Sequence, residues 1–257
     1  AVGIASGLAT KGLKPVCAIY STFLQRAFDQ IFHEICLQNL PVVFALDRAG
    51  LVGGDGPTHH GVFDIAILRT LPNIVLCAPK DNYELREMLK FLIRLNRPSA
   101  VRYPRTDSEV PKDNDKDFVK IELGKAELIQ ESEIAQISIM AYGSMVEIAK
   151  KTVNILEEQG IYANLVNMRF VKPIDENIIN RFADKNIPIV TLEEHSIQGG
   201  FGSAVLESLS SNNRHNVKIH NIGIPDFYIE HGKREELLSM LGLDAESVSE
   251  KIKSYLK

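Results

Sequence analysis

The chain has 257 residues, 45% of them hydrophobic, enough to bury one large core or two of ordinary size. Its formal charge of -4, with Lys and Arg scattered rather than clustered, offers no basic patch to nucleic acid or to an anionic membrane surface. No apolar run reaches the roughly 18 residues needed to span a bilayer, and Cys17, Cys36 and Cys77 each sit in an apolar stretch away from metal-ligand spacing, as buried thiols of a reducing compartment do.

AVGIASGLATKG (1–12) reads as a small-residue helix ending at Gly12, with no signal or transit character. A chain that opens inside a packing element is expected to be a piece of a longer protein or one half of a split enzyme. PVCAIY (15–20) and PVVFALD (41–47) are short, nearly continuous apolar runs and predict strands buried on both faces. Between them FLQRAFDQIFHEICLQ places Phe23, Ala27, Ile31 and Ile35 on one helical stripe. NIVLCAP (73–79) predicts a third strand, DNYELREMLKFLIRL (81–95) a helix capped by Asp81, and SAVRYPR (99–105) a fourth strand. Strands alternating with helices imply a parallel sheet with right-handed crossovers.

TDSEVPKDNDKDF (106–118) is charged and aperiodic, so the domain boundary is expected there, dividing 1–112 from 113–257. The pattern then restarts, with strands at 134–143, 161–168, 186–195 and 217–223 and helices at 144–160, 203–211, 233–240 and 244–256. The expected fold class is α/β, two doubly wound domains with mostly parallel sheets.

Ligands of open α/β sheets gather at the carboxyl ends of the parallel strands, and polar clusters stand at such ends. Tyr20 leads into STFLQR (21–26); Asp47 and Arg48 precede the glycine loop GGDGPTHHG (53–61); Arg102 and Arg105 flank Tyr103 and Pro104. The loop combines glycines, which let backbone approach a ligand, with Asp55, His59 and His60, which can move protons. A solvated turn is the bland alternative, and the two histidines at a strand end favour a site. No GK[ST] follows, so it is not a P-loop. Arg48, Arg102 and Arg105 suit phosphate or carboxylate, unless each is held by Asp47, Asp55 or Asp64 as a structural ion pair. Phe23 reads either as core or as a platform for a flat heteroaromatic ring beside Arg26. EEHSIQGGFGSAV (193–205) lacks the last glycine of a dinucleotide fingerprint and reads as a tight helix entry, with Glu193, Glu194 and His195 expected on a solvated edge. His33, His220 and His231 read as structural.

At these same residues the chain resembles the 1-deoxy-D-xylulose-5-phosphate synthase family of transketolase-like enzymes. YSTFLQRAFDQ (20–30), DRAGLVGGDGPTHHG (47–61) and PSAVRYPR (98–105) are similar to its pyrimidine-binding domain. VTLEEHSIQGGFGSAV (190–205) and GIPDFYIEHG (223–232) are similar to its C-terminal domain. The resemblance implies that thiamine diphosphate is the cofactor, with Phe23 stacked on its aminopyrimidine and Arg26 alongside. It implies that Tyr20, Arg48 and Arg105 hold the phosphate of D-glyceraldehyde 3-phosphate, and that Asp55 and His59 line the pocket where pyruvate reacts and the aldehyde is protonated. His60 receives no role, because the family often has another polar residue there. The implied product feeds isoprenoid, thiamine and pyridoxal precursor synthesis in the cytoplasm or plastid stroma, and the implied assembly is a homodimer whose contacts the C-terminal domain supports. The family's cofactor-activating glutamate would stand just before Ala1, and its diphosphate- and Mg2+-binding domain further upstream. These residues alone are therefore expected to be inactive without that N-terminal domain or chain. A β-type subunit of a 2-oxoacid dehydrogenase and a non-catalytic binding module are the rival readings; the phosphate-oriented arginines disfavour the first, and joint retention of Phe23, Asp55, His59 and Arg105 the second.

Overall fold

A computed structural model describes residues 1–106 and 120–257; the expected boundary at 112/113 lies outside them. Helix α1 (Val2–Thr10) ends where Gly12 adopts a φ of 82°, and β1 (Val16–Tyr20) follows. The segment expected as one regular helix is broken instead. It runs as α2 (Ser21–Leu24), a 3-10 turn (Gln25–Ala27), α3 (Phe28–Gln30) and a π-helical stretch (Ile31–Cys36). Ile31 and Ile35 are fully buried, whereas Phe23 lies half-buried near the helix start, so the stripe divides into a core end and a site end.

Next come β2 (Val43–Asp47), α4 (Asp64–Leu68), β3 (Val75–Cys77), α5 (Asn82–Leu95) and β4 (Ser99–Arg102). Asp81 accepts from the Glu84 N–H, so α5 starts at the cap its sequence predicts. The second half contributes β5 (Glu127–Gln130), β6 (Ile137–Ala141), α6 (Met145–Glu157), β7 (Ala163–Asn167), β8 (Phe170–Lys172) and α7 (Glu176–Asp184). It closes with β9 (Ile189–Ser196), α8 (Phe201–Ser211), β10 (Ile219–Ile224), α9 (Arg234–Met240) and α10 (Ala245–Tyr255).

The sheets are ordered β1-β2-β4-β3-β8 and β10-β9-β6-β7-β5. All pairings are parallel except β3 with β8 and β5 with β7. Strand β8 therefore crosses from the second half to extend the first sheet, and one apolar cluster joins Phe44, Ile65 and Leu68 to Tyr142, Phe182 and Phe201. The two halves share a core, which holds the ends of β1, β2 and β4 in fixed relation to the end of β9.

Candidate active site

Register brings the polar strand ends together. Tyr20 pairs with Asp47, and Leu46 with Arg102, so β1, β2 and β4 finish at one edge of the sheet. Beyond β2 the chain turns sharply: Arg48 takes a φ of 59°, and the Ala49 N–H donates to the Tyr103 carbonyl over 3.0 Å. Gly50 and Gly61 then exchange backbone hydrogen bonds of 2.8 Å, closing residues 50–61 into a loop. A Cβ at Gly61 would lie 2.3 Å from the Arg48 carbonyl oxygen and 2.6 Å from Ser21 Oγ, so this closure admits only glycine.

On this frame every residue expected to bind or react falls into one connected group. Tyr20 and Phe23 stack with centroids 5.5 Å apart, and His59 meets Phe23 edge-on at 5.4 Å. The Arg26 guanidinium lies 5.5 Å from the Phe23 centroid and that of Arg48 lies 4.0 Å from Tyr20. Arg48 Nη1 donates to Asp55 Oδ2 at 2.6 Å, and Arg105 Nη1 stands 3.6 Å from the same oxygen. Thr58 Oγ1 lies 2.9 Å from His59 Nδ1, while the Thr58 carbonyl accepts from Thr22 and ties the loop to α2. Two guanidinium groups thus face one carboxylate, while Asp47 at the same turn accepts the Arg48 backbone N–H at 2.7 Å. Arg48 Nε has no partner among the described residues. Beside this group Gly53, Gly54, Arg105, His231 and Lys233 line a cavity of about 510 Å³.

Arg102 is different. It is buried, and its Nε donates to Asp64 at 2.9 Å while its Nη2 donates to the carbonyls of Gly61 and Glu194. It is the fully buried ion pair among the three arginines, fixing the loop from beneath, whereas Arg48 and Arg105 pair with the more exposed Asp55. Outside the site, His33 pairs with Asp29, His220 stacks on Tyr255, and all three cysteines are buried and free.

The expectation for residues 193–195 is corrected: Glu193, Glu194 and His195 are completely buried, not a solvated edge. They end β9 against the first sheet, where backbone N–H groups, Ser144, Asp64 and Arg234 meet them in place of water. Glu193 accepts the N–H groups of Phe201 and Gly202 at the start of α8, so the glycine stretch is indeed a tight helix entry. Burial pushes its carboxyl up to about 8, against the backbone hydrogen bonds and Arg102, which pull it down. Burial likewise pushes His195 down to about 4, with Asp64 opposing. The His195 Nδ1–H donates to the Ser196 carbonyl, and its Nε2 accepts from the Ile65 N–H. Glu194 accepts from Leu51 N–H, Ser144 Oγ and two nitrogens of Arg234. Sequence reasoning missed this seam because an acidic pair near glycines looks the same whether solvated or buried. The nearly apolar approach of β9, IVTL, was the one available signal.

Residues 1–110 match the family described as the transketolase pyrimidine binding domain, and residues 124–248 the transketolase C-terminal domain. A split gene transketolase, described as an inactive beta4 tetramer, superposes with a TM-score of 0.85 at 32% identity, covering 99% of this chain and 79% of that one.

The chain belongs to the transketolase family.

A transketolase from Campylobacter jejuni, at 22% identity and a TM-score of 0.79 over 98% of this chain and 38% of its own, shares the family fold. Curated transketolase-family relatives of higher identity carry the name 1-deoxy-D-xylulose-5-phosphate synthase. That of Pelotomaculum thermopropionicum is 51% identical over 96% of this chain and 38% of its own length. The second such synthase of Geobacter sulfurreducens is 50% identical over 98% and 40%. The chain therefore spans about two-fifths of the length of the curated relatives it matches.

Proposed function

We propose that these residues form the pyrimidine-binding and C-terminal domains of a 1-deoxy-D-xylulose-5-phosphate synthase, which condenses pyruvate, with loss of carbon dioxide, and D-glyceraldehyde 3-phosphate. The observation that carries the reading is the convergence of Arg26, Phe23, Tyr20, Arg48, Asp55, Arg105 and His59 at one sheet edge. The names of relatives at about half identity support it.

The residues fit thiamine diphosphate. Phe23 belongs to none of the buried clusters, and Ser21 Oγ, which faces Gly61, lacks a partner among the described residues. Phe23 would hold the aminopyrimidine, with Arg26 at its edge. When bound, the cofactor supplies an electron sink for decarboxylation. The chain's own residues do the rest. Arg48 and Arg105, spread by Asp55, hold the acceptor's phosphate, and Tyr20 keeps the Arg48 fork in place through its ring. His59, turned by Thr58, moves a proton at Nε2 toward the aldehyde oxygen.

Among the described residues no group of His, Cys, Asp or Glu is arranged to hold a metal, and we assign Mg2+ to the N-terminal domain of the whole enzyme. That domain and a second copy are the proposed protein partners. Ile4, Leu8 and Leu13 expose apolar surface on α1 and the turn after it, which supports a partner there. No helix among the described residues is long and apolar enough to cross a membrane; with the buried free thiols this supports a cytoplasmic place.

Titrating thiamine diphosphate and Mg2+ into the chain combined with a relative's N-terminal domain tests the reading. Saturable binding that Phe23→Ala weakens is expected. Absence of binding would favour a non-catalytic module that keeps only the fold.

A further inference from the structure

We propose that His60 is a positioning residue, through which the C-terminal domain sets the loop carrying Asp55 and His59. The inference rests on the reading of that loop as catalytic.

His60 is buried, unlike His59 beside it. Its Nδ1 accepts from the Val52 N–H at 2.9 Å, and its Nε2 lies 3.1 Å from the Ile229 carbonyl and 3.4 Å from that of Glu230. An N–H can donate only to an unprotonated ring nitrogen, so the proton sits on Nε2 and is given to Ile229. The ring is thus a neutral bridge with one acceptor and one donor, and both are used. Each end of the bridge is anchored. Ile229 is 3% exposed and packs in the cluster that holds Leu51 and Val62, the neighbours of the glycine loop. Val52, whose N–H His60 holds, offers its carbonyl to the N–H groups of both Asp55 and Gly56 at 3.1 Å. The turn bearing Asp55 therefore hangs from Val52, and Val52 hangs from His60.

A second tie runs alongside. The Gly232 N–H donates to the Gly53 carbonyl at 2.9 Å, and a Cβ on Gly53 would meet the Gly232 carbonyl oxygen at 1.8 Å. Asp55 in turn contacts both Arg48 and Arg105, so the segment after β10 bears on the site through these backbone ties as well as through His231 and Lys233 at the cavity wall. Phe23 and Arg26 stand on α2 and its following turn, which meet the loop only where Thr22 bonds Thr58 and Phe23 meets His59, away from the Val52 turn that His60 holds, so cofactor stacking should depend little on His60.

A carboxamide can copy the bridge, because its oxygen accepts and its N–H donates at similar spacing; an aliphatic side chain can do neither. The test compares His60→Gln with His60→Leu in the chain combined with a relative's N-terminal domain, assayed with pyruvate and D-glyceraldehyde 3-phosphate. His60→Leu is expected to lower kcat about tenfold to a hundredfold, the scale of a small misplacement of reacting groups, with thiamine diphosphate affinity unchanged. His60→Gln is expected to keep most of the turnover. Amide exchange on the chain alone should quicken at Val52, Asp55 and Gly56 in His60→Leu and not in the sheets. Unchanged exchange there, or equal kcat in both variants, overturns the proposal. An inactive wild type with quickened loop exchange in His60→Leu would instead refute the synthase reading and keep the bridge. If His60→Leu does not fold, Gly53→Ala, which forces the Gly232 carbonyl away, takes its place with the same expected losses.

Discussion

Asp55 is shared unequally: Arg48, 19% exposed at its side chain, bonds it closely, while Arg105, 63% exposed, reaches it at 3.6 Å. Arg105 is thus the fork with more freedom to turn, the one that on the proposed reading meets an incoming phosphate. Arg105→Ala should raise KM for D-glyceraldehyde 3-phosphate by roughly tenfold to a hundredfold, the worth of a lost charge-assisted hydrogen bond, and leave KM for pyruvate nearly unchanged. Equal losses for both substrates in steady-state kinetics would remove the phosphate role. His59→Ala should lower kcat by about 10²-fold or more, as loss of a general acid does, while a thiamine diphosphate titration stays near wild type. Lost cofactor binding would make His59 structural. The residue types at strand ends were legible, since cationic forks, an aromatic and a histidine stand where α/β sheets gather ligands. The fate of each arginine was not, because a carboxylate partner distant in sequence decides it: Asp64 claims Arg102 from 38 residues away.

Helix α8 begins on Glu193, and this cap makes its element sensitive to pH. With its carboxyl raised to about 8 from an ordinary 4.5, the folded chain keeps a proton that the unfolded chain releases. Stability from this group therefore falls as pH rises through that window. His195, held at about 4 against an ordinary 6.5, works the other way: the unfolded chain binds the extra proton, so stability rises with pH across its window. The two oppose each other below about 6.5, and above it Glu193 acts without that counterweight. Tm should decline between pH 6.5 and 8, and Glu193→Gln should flatten that slope even if it lowers Tm throughout. An equal slope in the variant, by differential scanning fluorimetry across this range, would remove Glu193 as the cause. Most long elements were legible from periodicity, with α5 and its Asp81 cap in register. The short strand β8 and helix α7 were not, because FVK has no period of its own and becomes a strand only by pairing with β3.

The molecule as a whole joins two sheets through a seam that is both apolar and ionic. Tyr142 stacks on Phe201 at 5.3 Å inside the shared core, and Arg102, Asp64 and Glu194 close the seam near the 50–61 loop. Breaking a buried pair leaves an uncompensated charge and costs about 3–5 kcal/mol. Arg102→Met should accordingly lower the urea midpoint of unfolding sharply, whereas Arg26→Met, on an exposed side chain, should leave it in place. Composition and strand-helix alternation made the two α/β halves legible, but the shared core was not, because buried apolar residues do not reveal which sheet they will cover. The most direct measurement of the central claim is product analysis by NMR. The chain is combined with a relative's N-terminal domain, thiamine diphosphate and Mg2+, and given 2-13C-labelled pyruvate with D-glyceraldehyde 3-phosphate. The account predicts labelled 1-deoxy-D-xylulose 5-phosphate, lost when Arg48 and Arg105 are both replaced by alanine. Decarboxylation of pyruvate with no pentulose phosphate, or a product yield indifferent to those arginines, would contradict it.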